Sequence, residues 1–389
     1  MLHLEQLREE IEALGQRAAE NHRQCSSELD IALRWLTEAP DAPALRERIK
    51  AIKVQEEKDP LPFPPTDEPL ARRIPCPALP VEESVLVAVD GSQITPDRHA
   101  AVLYYLIQVG GLIFRYNGNA PLPFSEAKLH FEESDLLNSL GLLITSELGM
   151  RRTVAEMAYL AHLTAVAGEA SPSLPVIALT DGPLLWPYTG QSKEEENALP
   201  AYFAALTAIR EAGGLPAGFI ERPGGSPLLE LLWASRLTAE GTPIHKGEAP
   251  LRALTDHELM TYFLSPGERS SWLERPSAMN ARHSRHGHPI WFCYLNVGEV
   301  DYPVIARIEV PQWACRDGWI DRLHAILIHQ ARVLHGNPYV LARAHELALV
   351  TSQDKAALEA LLQRQLFERG IVARTSEKAR QKAYLGGRQ

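Results

Sequence analysis

Two hydrophobic periods alternate along the chain. In residues 1–59 apolar positions recur every three or four residues, at Leu4, Leu7, Ile11 and Leu14 and again at Leu29, Ile31, Leu33 and Leu36, among Glu and Arg. That spacing predicts two amphipathic helices forming an N-terminal helical arm. The arm reads as an accessory packed on the body, with a dimerisation arm as the sharper alternative. The stretch DPLPFPPTDEPLARRIPCPALP that follows is too rich in proline for a regular element, so residues 60–83 are expected to be a stiff linker over the surface.

From Val85 the period shortens. VLVAVD reads as a buried strand ending on Asp90, AAVLYYLIQVGGLIFRYNG as two strands broken at Gly110-Gly111, and AKLHFEE as a short strand. LLITSELGMRRTVAEMAYLAHLTAV is a long helix with Glu147/Arg151 and Arg152/Glu156 spaced for pairing one turn apart. SLPVIALTDGP is a second buried strand ending on an acid, Asp181. ENALPAYFAALTAIREAGG reads as a helix closed by glycine and LPAGFIERP as a further strand. Residues 237–288 are polar and interrupted, as an insertion or lid would be. PIWFCYLNV and YPVIARIEVP are then strands, and DGWIDRLHAILIHQARVLHG, LARAHELALV and DKAALEALLQRQLFERG are helices. A C-terminal helix and basic tail occupy 351–389.

Composition narrows the class. No apolar run approaches the ~20 residues that span a bilayer, and MLHLEQLREEIEAL lacks the apolar core of a signal peptide. A cytoplasmic protein without a membrane anchor is expected. Cys25, Cys76, Cys293 and Cys315 have no CxxC spacing, which argues against a zinc knuckle or a disulfide framework. A net charge of −10 argues against coating nucleic acid by bulk electrostatics, though not against a local basic groove. No GxxxxGK[ST] and no GxSxG occur, so neither ATP hydrolysis nor a serine nucleophile at Ser92 is expected.

The chemistry lies in the two strand-end acids. Asp90 in VAVDGSQ and Asp181 in ALTDGPL each follow a buried strand and precede glycine. Each alone reads as a turn-forming Asp-Gly; together, on adjacent strands, they would set two carboxylates side by side at a sheet's carboxyl edge. Such a pair repels unless a cation neutralises it, and a divalent ion with oxygen ligands is the usual solution. Two such ions can hold the attacking water and the leaving oxygen of a phosphodiester. A third acid is expected from the long helix, Glu147 or Glu156. Its apolar residues run nearly all round, so periodicity does not choose; Glu156 is preferred, against a surface ion pair with Arg152.

These residues carry a resemblance. Strand-Asp, helix-Glu, strand-Asp is similar to the ribonuclease H-like fold. More narrowly, VAVDGSQI, ALTDGPLL, GFIERP and GNPYVLARAHELA, within residues 84–350, resemble the NurA family, DNA-end-processing nucleases that work with a HerA-type hexameric ATPase. The resemblance implies an α/β, ribonuclease H-like mixed sheet flanked by helices. It implies Asp90, Glu156, Asp181 and His345 as catalytic and metal-binding residues, with Tyr339 matching the tyrosine before that histidine. One or two Mn²⁺ or Mg²⁺ ions, a 5′ to 3′ exonuclease with single-strand endonuclease activity acting in double-strand break repair, and a homodimer follow in the same way. One departure stands out: relatives commonly carry Lys-Arg-Pro where this chain has Glu221-Arg222-Pro223. The alternatives are a catalytically silent DNA-binding adaptor of the ATPase, and a ribonuclease or phosphoesterase on the same core.

Other residues have two readings each. His345 alone would be a structural histidine. RHSRHGHP, with Arg282, His283, Arg285, His286 and His288, is a solvated loop or a phosphate-contacting one, and Arg222 is a further phosphate contact. Trp186, Tyr188 and Trp233 are core aromatics or base-stacking platforms.

Overall fold

The computed structural model describes residues 4–52, 61–98, 100–116, 120–138, 141–142, 145–188, 192–236, 251–315 and 318–371. Helix α1 (Arg8–Thr37) comes first and, with the 3-10 turn Leu4–Leu7 that leads into it, carries both apolar stretches that the spacing assigns to two helices; the second helix, α2 (Ala42–Ala51), lies beyond them. Strands β1 (Val85–Ile94), β2 (Tyr105–Arg115) and β3 (Leu122–His130) follow. Next come a helical turn α3 (Glu133–Leu136), two-residue strands β4 (Leu137–Asn138) and β5 (Gly141–Leu142), and the long helix α4 (Thr145–Ala170). The chain continues through β6 (Val176–Asp181), α5 (Lys193–Glu211), β7 (Gly214–Glu221), α6 (Pro227–Arg236), α7 (Asp256–Phe263), β8 (Leu273–Glu274) and α8 (Ala278–Arg285). Strands β9 (Ile290–Asn296) and β10 (Ile305–Pro311) precede α9 (Trp319–Val333), α10 (Tyr339–Ala348) and α11 (Ser352–Glu368). Eight strands form one mixed sheet in the order β3-β2-β1-β6-β7-β10-β9-β8. Among the described residues no helix is long and apolar enough to cross a membrane.

The chain divides into two compact units. One holds residues 82–180, 188–215 and 340–389. Here β1 pairs antiparallel with β2 over its whole length, Val85↔Arg115 to Ile94↔Leu106, while its parallel pairing with β6 runs only from Val85↔Val176 to Val89↔Thr180. The strand therefore does not stop on Asp90. What stops there is the ladder on one side, which leaves the last five residues of β1 supported by β2 alone. The Asp-Gly turn expected at Gly91 is absent; the one at Gly182, where φ is +110°, is present.

Gly110-Gly111 does not break a strand either, because β2 runs straight through. The two glycines answer a packing constraint. A Cβ at Gly110 would stand 2.3 Å from the Ala348 nitrogen, 2.5 Å from the Leu347 carbonyl carbon and 2.8 Å from the Ala344 oxygen, all backbone of α10. On the other face a Cβ at Gly111 would stand 2.4 Å from Leu163 Cδ1 of α4. Helices thus lie on both faces of β2, and α10 touches it backbone to backbone. Helix α4 is buried at Leu148, Leu160 and Leu163. Its Arg151 reaches Glu194 Oε1 at 2.7 Å and the Tyr105 hydroxyl at 2.7 Å, and Arg152 pairs with Glu156 one turn on, as the spacing predicts.

The other unit holds residues 1–81, 181–187 and 216–339. β10 pairs antiparallel with β7 and β9, and β9 with β8. Leu228, Leu231 and Leu232 of α6 join Leu36 of α1, Leu45 of α2 and Leu259 of α7 in one core. The proline-rich stretch has no strand, but it bridges to the body at Phe63↔Glu274 and Ile74↔Arg269, and Glu68 pairs with the buried Arg269 at 3.1 Å. Residues 251–288, read from sequence as a polar insertion or lid, carry α7, β8 and α8 and bury Leu254, Leu259, Met260 and Trp272. Most of their apolar side chains point inward, Tyr262 being exposed, and average polarity conceals this; residues 237–250 and the basic tail 372–389 lie outside the described residues. Asp256 is fully buried and accepts hydrogen bonds from the Leu228 and Leu229 amides at the start of α6 and from the Tyr294 hydroxyl at 2.5 Å. Burial nonetheless pushes its carboxyl up to about 6.

Two outcomes follow for stability. Gly110→Ala forces α10 off β2 and should cost about 1–3 kcal/mol in urea unfolding. Asp256→Asn turns an amide donor toward donors it now accepts from, and should cost about 1–3 kcal/mol in the same experiment; an unchanged midpoint in either variant contradicts the packing described.

Candidate active site

The site is built from β1 outward. Asp90 sits opposite Gly110 in the β1/β2 register, and directly opposed residues of neighbouring strands present their side chains to the same face. Since Gly110 faces α10, so does Asp90. Its Oδ2 lies 2.7 Å from His345 Nδ1, and its Oδ1 accepts from the Gly91 amide at 2.7 Å. The Asp90 side chain is 17% exposed and that of His345 61%. A carboxylate at a half-open edge is thus joined to an imidazole whose far side faces solvent.

Helix α10 is held there by its own C-terminal carbonyls, which have no partner inside a helix. Gln108 Nε2 donates to the Leu347 oxygen at 3.1 Å, and the Ser92 hydroxyl donates to the Ala348 oxygen. Ser92 is therefore an anchor for the histidine's helix, and Gln108 another. Neither role has a local sequence signature, because each joins residues more than two hundred positions apart.

Glu156 approaches from the other face. A Cβ at residue 91 would fall 2.4 Å from Glu156 Oε1 and 3.0 Å from Arg152 Cγ. Only glycine leaves room there for the glutamate to lie against β1 one residue from Asp90. Glu156 Oε1 also pairs with Arg152 Nε at 3.1 Å, and its side chain is 14% exposed. Consecutive residues of β1 thus meet His345 on one face and Glu156 on the other. Glu147 lies in the first turn of α4, more than two turns before Glu156.

Asp90, Glu156 and His345 belong to one compact unit, whereas Asp181, Tyr339, Arg222, Arg282 and Arg285 belong to the other. Asp181 is exposed and directly follows Thr180, the residue that pairs with Val89. Tyr339 begins α10 and stands six residues, a rise of about 9 Å, before His345. Arg222 adopts φ +49°, rare for a side chain other than glycine, and is 75% exposed with Nε 3.9 Å from Glu221 Oε1.

Only the second half of RHSRHGHP is a loop. Arg282 and Arg285 lie in the last turn of α8, which Ser277 caps by accepting from the Asn280 amide at 3.1 Å. His283 and His288 are buried. His283 Nε2 accepts from the Trp186 amide at 3.1 Å, and Trp313 Nε1 donates to His288 Nδ1 at 3.2 Å. Burial drives His283 down to about 3, so it is a neutral core imidazole unsuited to gripping phosphate. Trp186 is core as well.

Among the described residues no three His, Cys, Asp or Glu side chains gather tightly enough to share an ion. The donor chemistry still fits a hard divalent cation: carboxylate oxygens from Asp90 and Glu156, the latter in the space a Cβ at residue 91 would fill, and an imidazole nitrogen. A cavity of about 760 Å³ between β2, β3, α4 and α5 holds none of these three groups; Glu126, Asp135 and Glu194 share its walls with Lys128 and Arg151.

Comparison with known proteins agrees with the four motifs. The model of the NurA domain matches residues 84–350. No curated protein matches the chain. Among solved structures, a NurA with manganese is 13% identical, with a TM-score of 0.37 over 89% of this chain and 98% of that one. A NurA bound to dAMP and manganese is 15% identical, with a TM-score of 0.36 over 93% and 97%. Drosophila Piwi is 10% identical, with a TM-score of 0.28 over 67% of this chain and 28% of its own. The family match spans well over half the chain, so the chain belongs to the NurA family of nucleases.

Proposed function

We propose that this chain is a divalent-metal-dependent deoxyribonuclease. In this reading it trims DNA ends 5′ to 3′, cuts single strands internally, and works in the cytoplasm as a homodimer beside a HerA-type hexameric ATPase in double-strand break repair. One observation carries it: the Asp90 carboxylate stands where β1 parts from β6, 2.7 Å from His345, with Glu156 lodged against the next residue. Asp90, Glu156 and His345, together with Asp181 just past Thr180, are the residues that would hold one or two Mn²⁺ or Mg²⁺ ions. The packing of Glu156 on Gly91 favours it over Glu147 as the helical ligand. An imidazole in the set suits manganese better than magnesium.

A bound divalent ion supplies an acidified water and neutralises charge on the phosphate. The chain's own groups do the rest. Asp90 orients the His345 ring through Nδ1, so the exposed side of the ring is the one able to take or deliver a proton. Tyr339 on the same helix is assigned a supporting catalytic role, and Arg222, Arg282 and Arg285 are assigned to the DNA phosphates. With a net charge of −10, such contacts have to be local.

A silent adaptor that binds DNA without cutting is the second reading. Glu221 favours it, since its carboxylate lies 3.9 Å from Arg222 Nε and opposes the phosphate that Arg222 would contact.

End-labelled DNA separates the two. Asp90→Ala is expected to lower cleavage by more than about 100-fold with an unchanged circular dichroism spectrum, and full activity in that variant rejects the assignment. Chelation of divalent ions should stop cleavage and added Mn²⁺ restore it; binding with no cutting at any Mn²⁺ concentration establishes the adaptor.

A further inference from the structure

Arg152 is bound to Glu156 less completely than a dedicated counter-ion would be. Its Nε stands 3.1 Å from Glu156 Oε1, yet that nitrogen is buried and not aligned to donate a hydrogen bond. An arginine that serves a carboxylate alone commonly grips it through two parallel N–H bonds; here there is one ion contact. Among the described residues Glu156 is the only ionic partner of Arg152, and the two terminal amino groups of its fork have no acceptor. The Arg152 side chain is 36% exposed, so these donors are within reach of a ligand.

The geometry of α4 sets where they reach. The helix runs opposite to β1: Leu163 lies on Gly111, the partner of Val89, and Glu156 and Arg152 lie on Gly91. Helical side chains lean toward the N-terminus of their own helix. For Arg152 that is the direction of Ser92 and beyond, the end of β1 that β6 leaves unpaired. The preceding turn of α4 presents Leu148 and Gly149 there, whose side chains accept nothing. Arg152 Cγ passes 3.0 Å from where a Cβ at residue 91 would stand, so the stem crosses β1 one residue from Asp90. Arg152 also belongs to the compact unit of Asp90, Glu156 and His345, whereas Arg222, Arg282 and Arg285 do not, and Arg222 has the Glu221 carboxylate 3.9 Å away.

We propose that Arg152 is a phosphate clamp of this site. It neutralises Glu156 while that carboxylate has no other cation, and turns its fork to a DNA phosphate once Glu156 is engaged by a divalent ion. The inference rests on the nuclease reading, in which Glu156 is a metal ligand. The two roles alternate because a carboxylate already facing a dication gains little from a second positive charge, while a phosphodiester brought to an edge of acids needs a planar, always-charged donor.

Fluorescence anisotropy of a labelled single-stranded oligodeoxynucleotide with cleavage-resistant phosphorothioate linkages reads binding apart from cutting. With Mn²⁺, Arg152→Ala should weaken binding about 10-fold whatever the base sequence, and lower the slope of log Kd against log salt by about 0.7, one phosphate contact on a single strand. Arg152→Gln, which keeps the stem over Gly91, should do the same. Arg152→Lys keeps the charge and therefore the slope, and should lose about 3-fold in affinity with the second prong of the fork. In excess chelator the wild type and Arg152→Ala should bind alike. An unchanged salt slope in the Ala and Gln variants marks an arginine that only neutralises Glu156 and overturns the proposal; so does a loss of affinity as large in chelator as with Mn²⁺. A wild type that neither binds nor cuts DNA overturns the nuclease reading itself, an outcome distinct from a wild type that cuts while Arg152→Ala binds as tightly.

Discussion

The contact on which the site depends is between two stretches of main chain. Helix α10 lies so close over β2 that no side-chain atom fits between them at Gly110, and Ser92 and Gln108 fasten its last carbonyls. Because Gly110 is the register partner of Asp90, this approach sets the histidine one turn back in α10 directly against the aspartate. Any side chain at residue 110 would lift the helix by more than the tolerance of a hydrogen bond. The glycine therefore matters to the chemistry although it takes no part in it.

Electrostatics then distributes the partners. Two carboxylates near one sheet edge raise each other's energy unless each has a counter-group. Here each has its own: His345 for Asp90 on one face of β1, Arg152 for Glu156 on the other. The alternation of a strand makes this possible, since neighbouring residues point to opposite faces. It also explains why a site of this kind needs helices on both sides of the sheet, and why the ladder with β6 must end at Val89 to open the edge.

Much of this frame was legible in the residues. The apolar runs before Asp90 and Asp181 locate β1 and β6, and the three-and-four spacing locates α1, though as one helix where two were expected. What the sequence concealed is non-local. Gly110-Gly111 looks like a break because local reasoning gives glycine a conformational role, whereas here it serves a helix hundreds of residues away. Glu147 and Glu156 could not be separated by periodicity because α4 is apolar over most of its circumference; the approach to Gly91, which is made by Glu156, becomes visible only in the fold. The histidines of RHSRHGHP look solvated, yet two of the three are buried acceptors, for Trp186 and Trp313. Asp256 reads as an ordinary surface acid of α7, but it caps α6. Motif and order identified the family, while side-chain direction required the fold.

Helix α1 extends the same logic to the surface. A polar helix of some twenty residues is marginal in water by itself, and four large apolar side chains in solvent add nothing to its stability. Its order comes from the far end, where Leu36 and Ala32 join the core and the buried Glu28 has both oxygens satisfied. That end would remain anchored if the helix stopped near Gln24. The segment beyond is therefore not needed by the packing of its own unit.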